Sequence, residues 1–398
     1  MDATVSESEW VAYQFAYLVT LLGGEEEVAR IARETGAFTR PREVKSVRNL
    51  LQLLMLWSVA DCSLRETAAL AAESGLAEVS NVALLKRFDK CGAFVGELLG
   101  RALARLPAEA TLSFHIRLID ATTVSIPGSE GTDHRIHLSM QLPGGRIDEV
   151  EITDAGGGET LERFHFAPND LAIVDRGYAR RPGLQAVVDK GAYFIVRMPL
   201  QNIPLVAETG EKLDLLAILR GLGEAVPGET AVHVDLPNGT RSACRLIAMR
   251  KTEAATEDAR KKLLAEAKRK GRTVTVGSLE MAAFVCVLTN LPSTISAARV
   301  LELYRVRWQV EMKFKTLKSV IRLADVRSKN PGRVQIYIAM KLLAAVLIEQ
   351  LSEQYESFSP WGYPLTAAAA EHLAPHQVPS SSSPPCRHPA FDIRSIVD

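Results

Sequence analysis

The sequence lacks the features that mark secreted, membrane-spanning and zinc-binding proteins. It has five cysteines, which are scattered and form no CxxC pair. This pattern argues against a disulfide framework and a zinc site, and we expect a reducing cytoplasm as the compartment. No apolar run approaches the roughly 18 residues that a membrane span needs. The opening segment MDATVSESEW also lacks the basic and then apolar pattern of a secretory signal.

The chain also lacks net charge, since it has 47 basic and 47 acidic residues. A whole-protein basic signature for nucleic acid is therefore absent, and the distribution of charge is more informative. Between Ala297 and Ala345 eleven basic residues stand against three acidic ones, and the difference is a local charge of +8. Charge alone does not separate a nucleic-acid surface from an ordinary solvated helix face.

The N-terminal part, residues 1–110, is predicted to be helical and to hold a helix-turn-helix. Ser63 and Glu66 form a predicted capping box for the helix Leu64–Glu73. Ser80 caps a second predicted helix, Asn81–Cys91, whose basic residues suit a DNA groove: Lys86, Arg87 and Lys90. An ordinary helical hairpin gives the same pattern and is favoured on this segment alone.

A strand pattern begins near residue 112. Strands are predicted at Arg117–Val124, Arg135–Leu142, Arg146–Thr153, Leu171–Val174 and Tyr193–Val196. A predicted helix, Pro182–Lys190, joins the last two. Three meandering strands followed by a β-α-β unit are the order of a ribonuclease H type of mixed sheet, so we expect an α/β fold of that kind.

Residues 200 to about 292 interrupt this order and are predicted to be a mostly β insertion. Its predicted elements are the strands Ala231–Leu236, Ala243–Met249 and Ala283–Leu288 and the basic helix Glu257–Lys270. A long helix is predicted from Ala297 to Ile321. The predicted domains are a helical DNA-binding domain (1–110), a catalytic core in two parts (111–199 and 293–356), the insertion (200–292) and a Pro/Ser-rich tail (357–398), expected to be disordered.

Two aspartates occupy chemically informative places in these strands. Asp120 lies inside an apolar strand, where a carboxylate is unfavourable unless it is paired or bound to metal. Asp175 follows the apolar strand Leu171–Val174, at the strand end where open α/β sheets place ligands. Because the first and fourth strands are neighbours in a ribonuclease H order, the two carboxylates are expected to converge. A turn or cap residue is the ordinary alternative for an Asp at a strand end.

The long helix supplies a third acid. Tyr304, Arg307, Glu311 and Lys318 fall within an arc of about 60° on a helical wheel, beside an apolar stripe. Such a helix packs one stripe on the sheet and presents an acid flanked by cations, although incidental surface charges produce the same spacing. Asp120, Asp175 and Glu311 together suit two Mg²⁺ ions, with Mn²⁺ as a possible substitute, for phosphoryl transfer. Arg307 and Lys318 are expected to hold phosphates, and Tyr304 to donate to one.

The four-residue set resembles the YREK signature of DDE transposases of the insertion-sequence-four family: Tyr304-x2-Arg307-x3-Glu311-x6-Lys318. The segments DATT from Asp120 and DRGY from Asp175 are similar to the two aspartate motifs of that family. The resemblance covers about Ser63 to Ile348.

The resemblance implies a ribonuclease H-like core and metal-dependent cleavage at transposon ends, followed by strand transfer with the freed 3′-hydroxyl. It implies Asp120, Asp175 and Glu311 as metal ligands, and Tyr304, Arg307 and Lys318 as DNA contacts. We expect Arg176, Lys86 and Arg87 to contact DNA as well. A homodimer on paired double-stranded ends, associated with the nucleoid and not with a membrane, is also expected.

Two further functions remain open at this stage, an inactive copy that occupies the ends without cutting and a nuclease without strand transfer. Glu159 is either an accessory acid or a residue at a helix start, and the second interpretation is favoured. His134 and His137 are three residues apart, and on a strand this places them on opposite faces, which disfavours a shared metal.

Overall fold

The computed structural model describes residues 15–104, 114–223 and 226–356. These residues form two compact units. We call the first, residues 15–104, 123–134 and 314–356, the helical unit. We call the second, residues 114–122, 135–223 and 226–313, the sheet unit. The predicted tail lies outside the described residues.

The N-terminal part of the helical unit consists of short helices, of which three begin at a serine cap. From residue 25 onward its helices are α1 (Glu25–Glu34), α2 (Val47–Ser58), α3 (Leu64–Glu73), α4 (Asn81–Phe88) and α5 (Gly92–Ala104). At the start of α3 the Ser63 hydroxyl accepts from the Glu66 backbone N–H, and the Glu66 carboxylate accepts from the Ser63 N–H. The predicted capping box is therefore confirmed. The helix after Ser80 ends at Phe88, three residues earlier than predicted.

A long apolar helix, α12 (Pro331–Glu356), packs against α5 and α2. By length and composition alone its segment Pro331–Ser352 is long and apolar enough to cross a membrane. The most apolar window of that segment is 72% buried within the fold, however. Side chains such as Leu342 and Leu343 are fully buried. The helix therefore behaves as the core helix of this unit.

One buried charge cluster fastens α12 to the loop after α2. The Asp61 carboxylate accepts from the Tyr337 hydroxyl at 2.5 Å and from Lys341 Nζ at 3.1 Å. Lys341 Nζ also donates to the backbone carbonyls of Arg322 at 2.8 Å and Asp325 at 3.1 Å. All three protons of this fully buried ammonium group thus have acceptors.

The sheet unit is built on one mixed, eight-stranded sheet. The strands are β1 (His115–Val124), β2 (His134–Leu142), β3 (Arg146–Asp154), β4 (Asp170–Val174), β5 (Tyr193–Arg197), β6 (Gly228–Asp235), β7 (Arg241–Arg250) and β8 (Phe284–Thr289). Their spatial order is β3-β2-β1-β4-β5-β8-β7-β6. β1 and β4 are parallel neighbours, as are β4 and β5, so the predicted proximity of the first and fourth strands is confirmed. Helix α6 (Arg181–Val188) connects β4 to β5.

The segment between β5 and the C-terminal helices differs from the mostly β insertion that the sequence predicted. Besides β6, β7 and β8, the residues of this segment that the structure describes form three helices, α7 (Leu215–Arg220), α8 (Glu253–Arg269) and α9 (Val276–Met281). Its strands also continue the central sheet, because β8 pairs antiparallel with β5 and β7 pairs with β8. An exposed strand edge offers unpaired backbone groups to any other strand, and sequence order does not reveal which strand takes that place.

The prediction of a single long helix from Ala297 to Ile321 is wrong. The structure has α10 (Ala297–Arg305) and α11 (Trp308–Val320). Between them the N–H groups of Val306 and Arg307 bond to carbonyls three residues back. Such tighter turns have about three residues each, so helical-wheel bearings calculated for one straight helix do not hold across Arg307.

Candidate active site

The strand register brings the two aspartates side by side. In the parallel pair of β1 and β4, Ile119 lies opposite Val174. Asp120 directly follows Ile119, and Asp175 directly follows Val174. Both acids therefore lie at the same end of this strand pair. The hydrophobic cluster beneath them includes Ile119, Val174 and Leu161.

Asp120 is a carboxylate in an unfavourable environment. Burial raises its pKa to about 6, and the charges of Asp175 and Glu159 add to the rise. A hydrogen bond of 2.8 Å from the Ala121 N–H and the charge of Arg307 act in the opposite direction. A desolvated acid close to other acids favours the arrival of a cation.

The helical segment brings three further side chains to these acids. The Tyr304 hydroxyl donates to Asp175 Oδ1 at 3.3 Å. Arg307 Nη1 lies 3.6 Å from Asp120 Oδ2, and its Nη2 lies 2.5 Å from Glu311 Oε1. One guanidinium therefore links Glu311 to Asp120. Tyr304, which lies beneath the Arg307 guanidinium, has its pKa raised to about 12 by burial and by the charge of Asp175.

Arg197 is a site residue that sequence reasoning missed. Its Nη1 lies 3.9 Å from Asp175 Oδ1. The sequence did contain a signal for it, because Arg197 is the last residue of β5. This strand is parallel to β4, so its end lies on the same side of the sheet as Asp175. Arg197 and the exposed Arg176 also border a cavity of about 310 Å³. Lys251 and Lys262 line the same cavity.

Glu159 faces the acids rather than serving only as a helix-start residue. The cap of the short turn Leu161–Arg163 is Thr160, whose hydroxyl accepts from the Glu162 N–H. The charge of Glu159 acts on Asp120, and its Oε1 lies 3.9 Å from Arg135 Nη1. Glu159 therefore directly precedes the capped turn, as the helix-start interpretation expected, and its charge also reaches the acids.

The other predicted DNA-contacting residues belong to the helical unit. Lys318 is exposed on α11. Lys86 is exposed on α4, whereas the Arg87 guanidinium lies over the Phe38 ring at 5.4 Å. Whether these side chains contact DNA stays a prediction.

No group of three or more His, Cys, Asp and Glu side chains in residues 15–104, 114–223 and 226–356 is already arranged to hold a metal ion. The pair His134 and His137 is accordingly not part of such a group, and both side chains are buried. The acids nevertheless offer the hard oxygen donors that Mg²⁺ and Mn²⁺ prefer. Arg307 presently supplies the positive charge between Asp120 and Glu311, so a metal ion would compete with this guanidinium.

A mixed sheet that brings two aspartates and a helix-borne glutamate to one edge is typical of enzymes that act on phosphodiesters. The family model described as "Transposase DDE domain" matches residues 114–347. The chain therefore belongs to the transposase DDE domain family. Members of this family cleave DNA, transfer its strands and depend on divalent metal ions.

Named relatives agree with this assignment. The InsL protein of insertion sequence element IS186A from Escherichia coli K12 is 33% identical over 363 residues, covering 89% of this chain and 97% of the relative. The transposase for IS421 of E. coli has the same identity and coverage over 364 residues. The transposase for IS231F of Bacillus thuringiensis subsp. israelensis is 27% identical over 58% of this chain. A solved piggyBac transposase synaptic complex aligns over 87% of this chain and 75% of its own with 9% identity and a TM-score of 0.48, a likeness that does not bear on the assignment.

Proposed function

We propose that this chain is a cut-and-paste transposase of the insertion-sequence-four family, with Tyr304, Arg307, Glu311 and Lys318 as its YREK signature. It binds the terminal inverted repeats of its element, cleaves the DNA there and joins the freed 3′-hydroxyl to target DNA. The observation that carries the proposal is the bridge of Arg307 between Asp120 and Glu311. Acids that lie far apart along the chain thereby share one guanidinium. The strand order from β3 to β5 supports a ribonuclease H-like core.

Asp120, Asp175 and Glu311 are the proposed ligands of two Mg²⁺ ions, with Mn²⁺ as a substitute. These three carboxylates would hold the ions, whose positive charge would then favour both the attacking and the leaving oxygen. Other residues of the chain orient these carboxylates. Tyr304 holds the Asp175 carboxylate through its hydroxyl, and the raised pKa keeps this hydroxyl a proton donor.

The cations of the site are proposed to bind the DNA backbone. Arg307 presents a planar guanidinium suited to a phosphate, and Arg176 and Arg197 flank Asp175. Lys318 supplies a further charge from α11. In the helical unit, α4 with Lys86 and Arg87 is the proposed groove-binding helix. Domain 1–110 would thus bind DNA, while 111–199 and 293–356 form the catalytic core around the insertion 200–292.

We further propose that the protein acts as a homodimer on paired ends, in the cytoplasm and in association with the nucleoid. Mass measurement of the complex with end DNA tests the dimer. Two protein copies per pair of ends are expected, and one copy contradicts it.

A supercoiled donor plasmid that carries the element's own inverted repeats tests the activity, in the presence of Mg²⁺. Joined products are expected. Binding without cutting would identify an inactive copy that occupies the ends, and nicks without joining would identify a nuclease.

The ligands are tested by Asp120→Asn, Asp175→Asn and Glu311→Gln. Each is expected to lower the cutting rate by roughly 10³-fold or more, because several kcal/mol of charge stabilisation is lost, while binding to the ends persists. Asp258→Asn on the exposed side of α8 is the control and should cut at the wild-type rate. Ordinary turnover of any one ligand variant would overturn that assignment.

A further inference from the structure

Glu159 lies beside the site, but the proposed function does not assign a role to it. Its side chain is one-third exposed, and its ion pair with Arg135 is long, at 3.9 Å. Its negative charge contributes to the raised pKa of both Asp120 and Tyr178. A long ion pair holds a carboxylate only weakly, so Arg135 alone does not explain why Glu159 faces the acids.

The Glu159 carboxylate rests directly on the backbone of the segment that carries Asp175. A Cβ built on Gly177 would lie 1.8 Å from Glu159 Oε2 and 3.0 Å from its Cδ. Only glycine at position 177 allows this approach, because any side chain there would push the carboxylate away. Glycine at this place thus leaves room for the Glu159 carboxylate against the segment that carries Asp175.

Tyr178 supplies an independent sign that something binds here. Its side chain is fully buried, and within the described part of the chain its hydroxyl has no hydrogen-bond partner. Burial raises the pKa of this hydroxyl most, and the negative charges of Asp120 and Glu159 raise it further. Buried hydroxyl groups are seldom left unpaired, so this one points to a ligand that joins the acids.

We propose that Glu159 is a fourth carboxylate of the divalent-cation site, next to Asp120, and that the Tyr178 hydroxyl gains its hydrogen bond when the site is filled. The proposal rests on the proposed function, since it concerns the same cation site. In this role Glu159 adds its negative charge to that of Asp120. Outer partners of this kind orient metal ligands, and their loss typically lowers metal affinity 10–100-fold.

Calorimetric titration of the full-length, DNA-free protein with Mn²⁺ tests the proposal. Glu159→Gln keeps the shape of the side chain and should weaken Mn²⁺ binding by about 10–100-fold. Gly177→Ala should act in the same direction, because its methyl group displaces the carboxylate. Tyr178→Phe should give a smaller loss. The matched control is Glu162→Gln in the same segment, whose affinity should stay within about twofold of wild type.

A nicking assay at varied Mn²⁺ concentration distinguishes a role of Glu159 in metal binding from a role in folding. In Glu159→Gln the Mn²⁺ concentration for half-maximal nicking should rise by the same factor, while the nicking rate at saturating Mn²⁺ recovers. Thermal melting without metal should be unchanged, which a role in folding alone does not predict.

The outcomes also distinguish this inference from the proposed function. If Asp120→Asn loses Mn²⁺ binding while Glu159→Gln and Gly177→Ala bind as wild type, the inference is wrong and the function stands. An equal loss in Glu162→Gln would likewise overturn it. If Asp120→Asn binds Mn²⁺ as tightly as wild type, the proposed metal site itself is wrong.

Discussion

Two charge clusters in this protein, one in each unit, contain similar side chains but differ in how fully their hydrogen bonds are made. Around Asp61 in the helical unit, Tyr337 donates at 2.5 Å and Lys341 uses all three of its protons. Around Asp120 and Asp175 in the sheet unit, the corresponding contacts with Arg307, Tyr304 and Arg197 are 3.6, 3.3 and 3.9 Å long.

The difference separates a structural cluster from a site prepared for ligands. A buried ion pair with all hydrogen bonds made is strongly destabilised by the loss of either partner. A cluster with long contacts and crowded carboxylates leaves interactions unmade, and a metal ion or a phosphate can complete them. Four predictions test this comparison.

The largest effect is expected at the buried ammonium group. Lys341→Met leaves Asp61 buried and without its main cation, so the free energy of unfolding should fall by about 3–5 kcal/mol. Denaturant unfolding measures it. Lys315→Met on the exposed side of α11 is the control, with a change within about 0.5 kcal/mol. A loss below about 1 kcal/mol at Lys341 would show that the cluster is not structural.

The next effect is a pH dependence of stability at Asp120. Its pKa is raised from 3.8 to about 6 in the folded protein, so between these values the folded state binds more protons than the unfolded one. The contribution of Asp120 to stability therefore decreases as pH rises from about 4 to 6, by up to ~3 kcal/mol. Asp120→Asn should remove this decrease when unfolding is followed with a chelator present. Parallel curves for the two proteins would contradict the prediction.

A pair of tyrosines provides a direct comparison of the two clusters. Tyr337→Phe removes a short hydrogen bond to a buried carboxylate and should lower the free energy of unfolding by about 1.5–3 kcal/mol. Tyr304→Phe removes the longer contact with Asp175 and should change it by less than about 0.5 kcal/mol. Chemical denaturation of both variants in the same buffer checks the ranking. Equal losses would remove the proposed distinction between the clusters.

The smallest effect on stability is expected for Lys318→Ala. The exposed Lys318 has no hydrogen bond or ion pair with the residues that the structure describes, in contrast with Lys341, so unfolding should change by less than about 0.5 kcal/mol. Its effect should appear instead in DNA binding, where the slope of log affinity against log salt should become shallower by about one. An unchanged slope would exclude a phosphate contact.

Local patterns predicted much of this protein because they depend on neighbours along the chain. The capping box at Ser63 and Glu66, the strands β1 to β5 and the acids at Asp120 and Asp175 follow from spacing over a few residues. Cap bonds and the alternation of buried side chains are made within one element. They can therefore be read without knowing what that element packs against.

The contacts that create the site depend on residues brought together only by folding. The link from Arg307 to Asp120 and the places of Arg197 and Glu159 beside the acids all join segments distant in the chain. The pairing of β8 with β5 likewise depends on which strand reaches a free edge. Such contacts are selected by packing and electrostatics in three dimensions, and residue spacing along the chain does not fix them by itself.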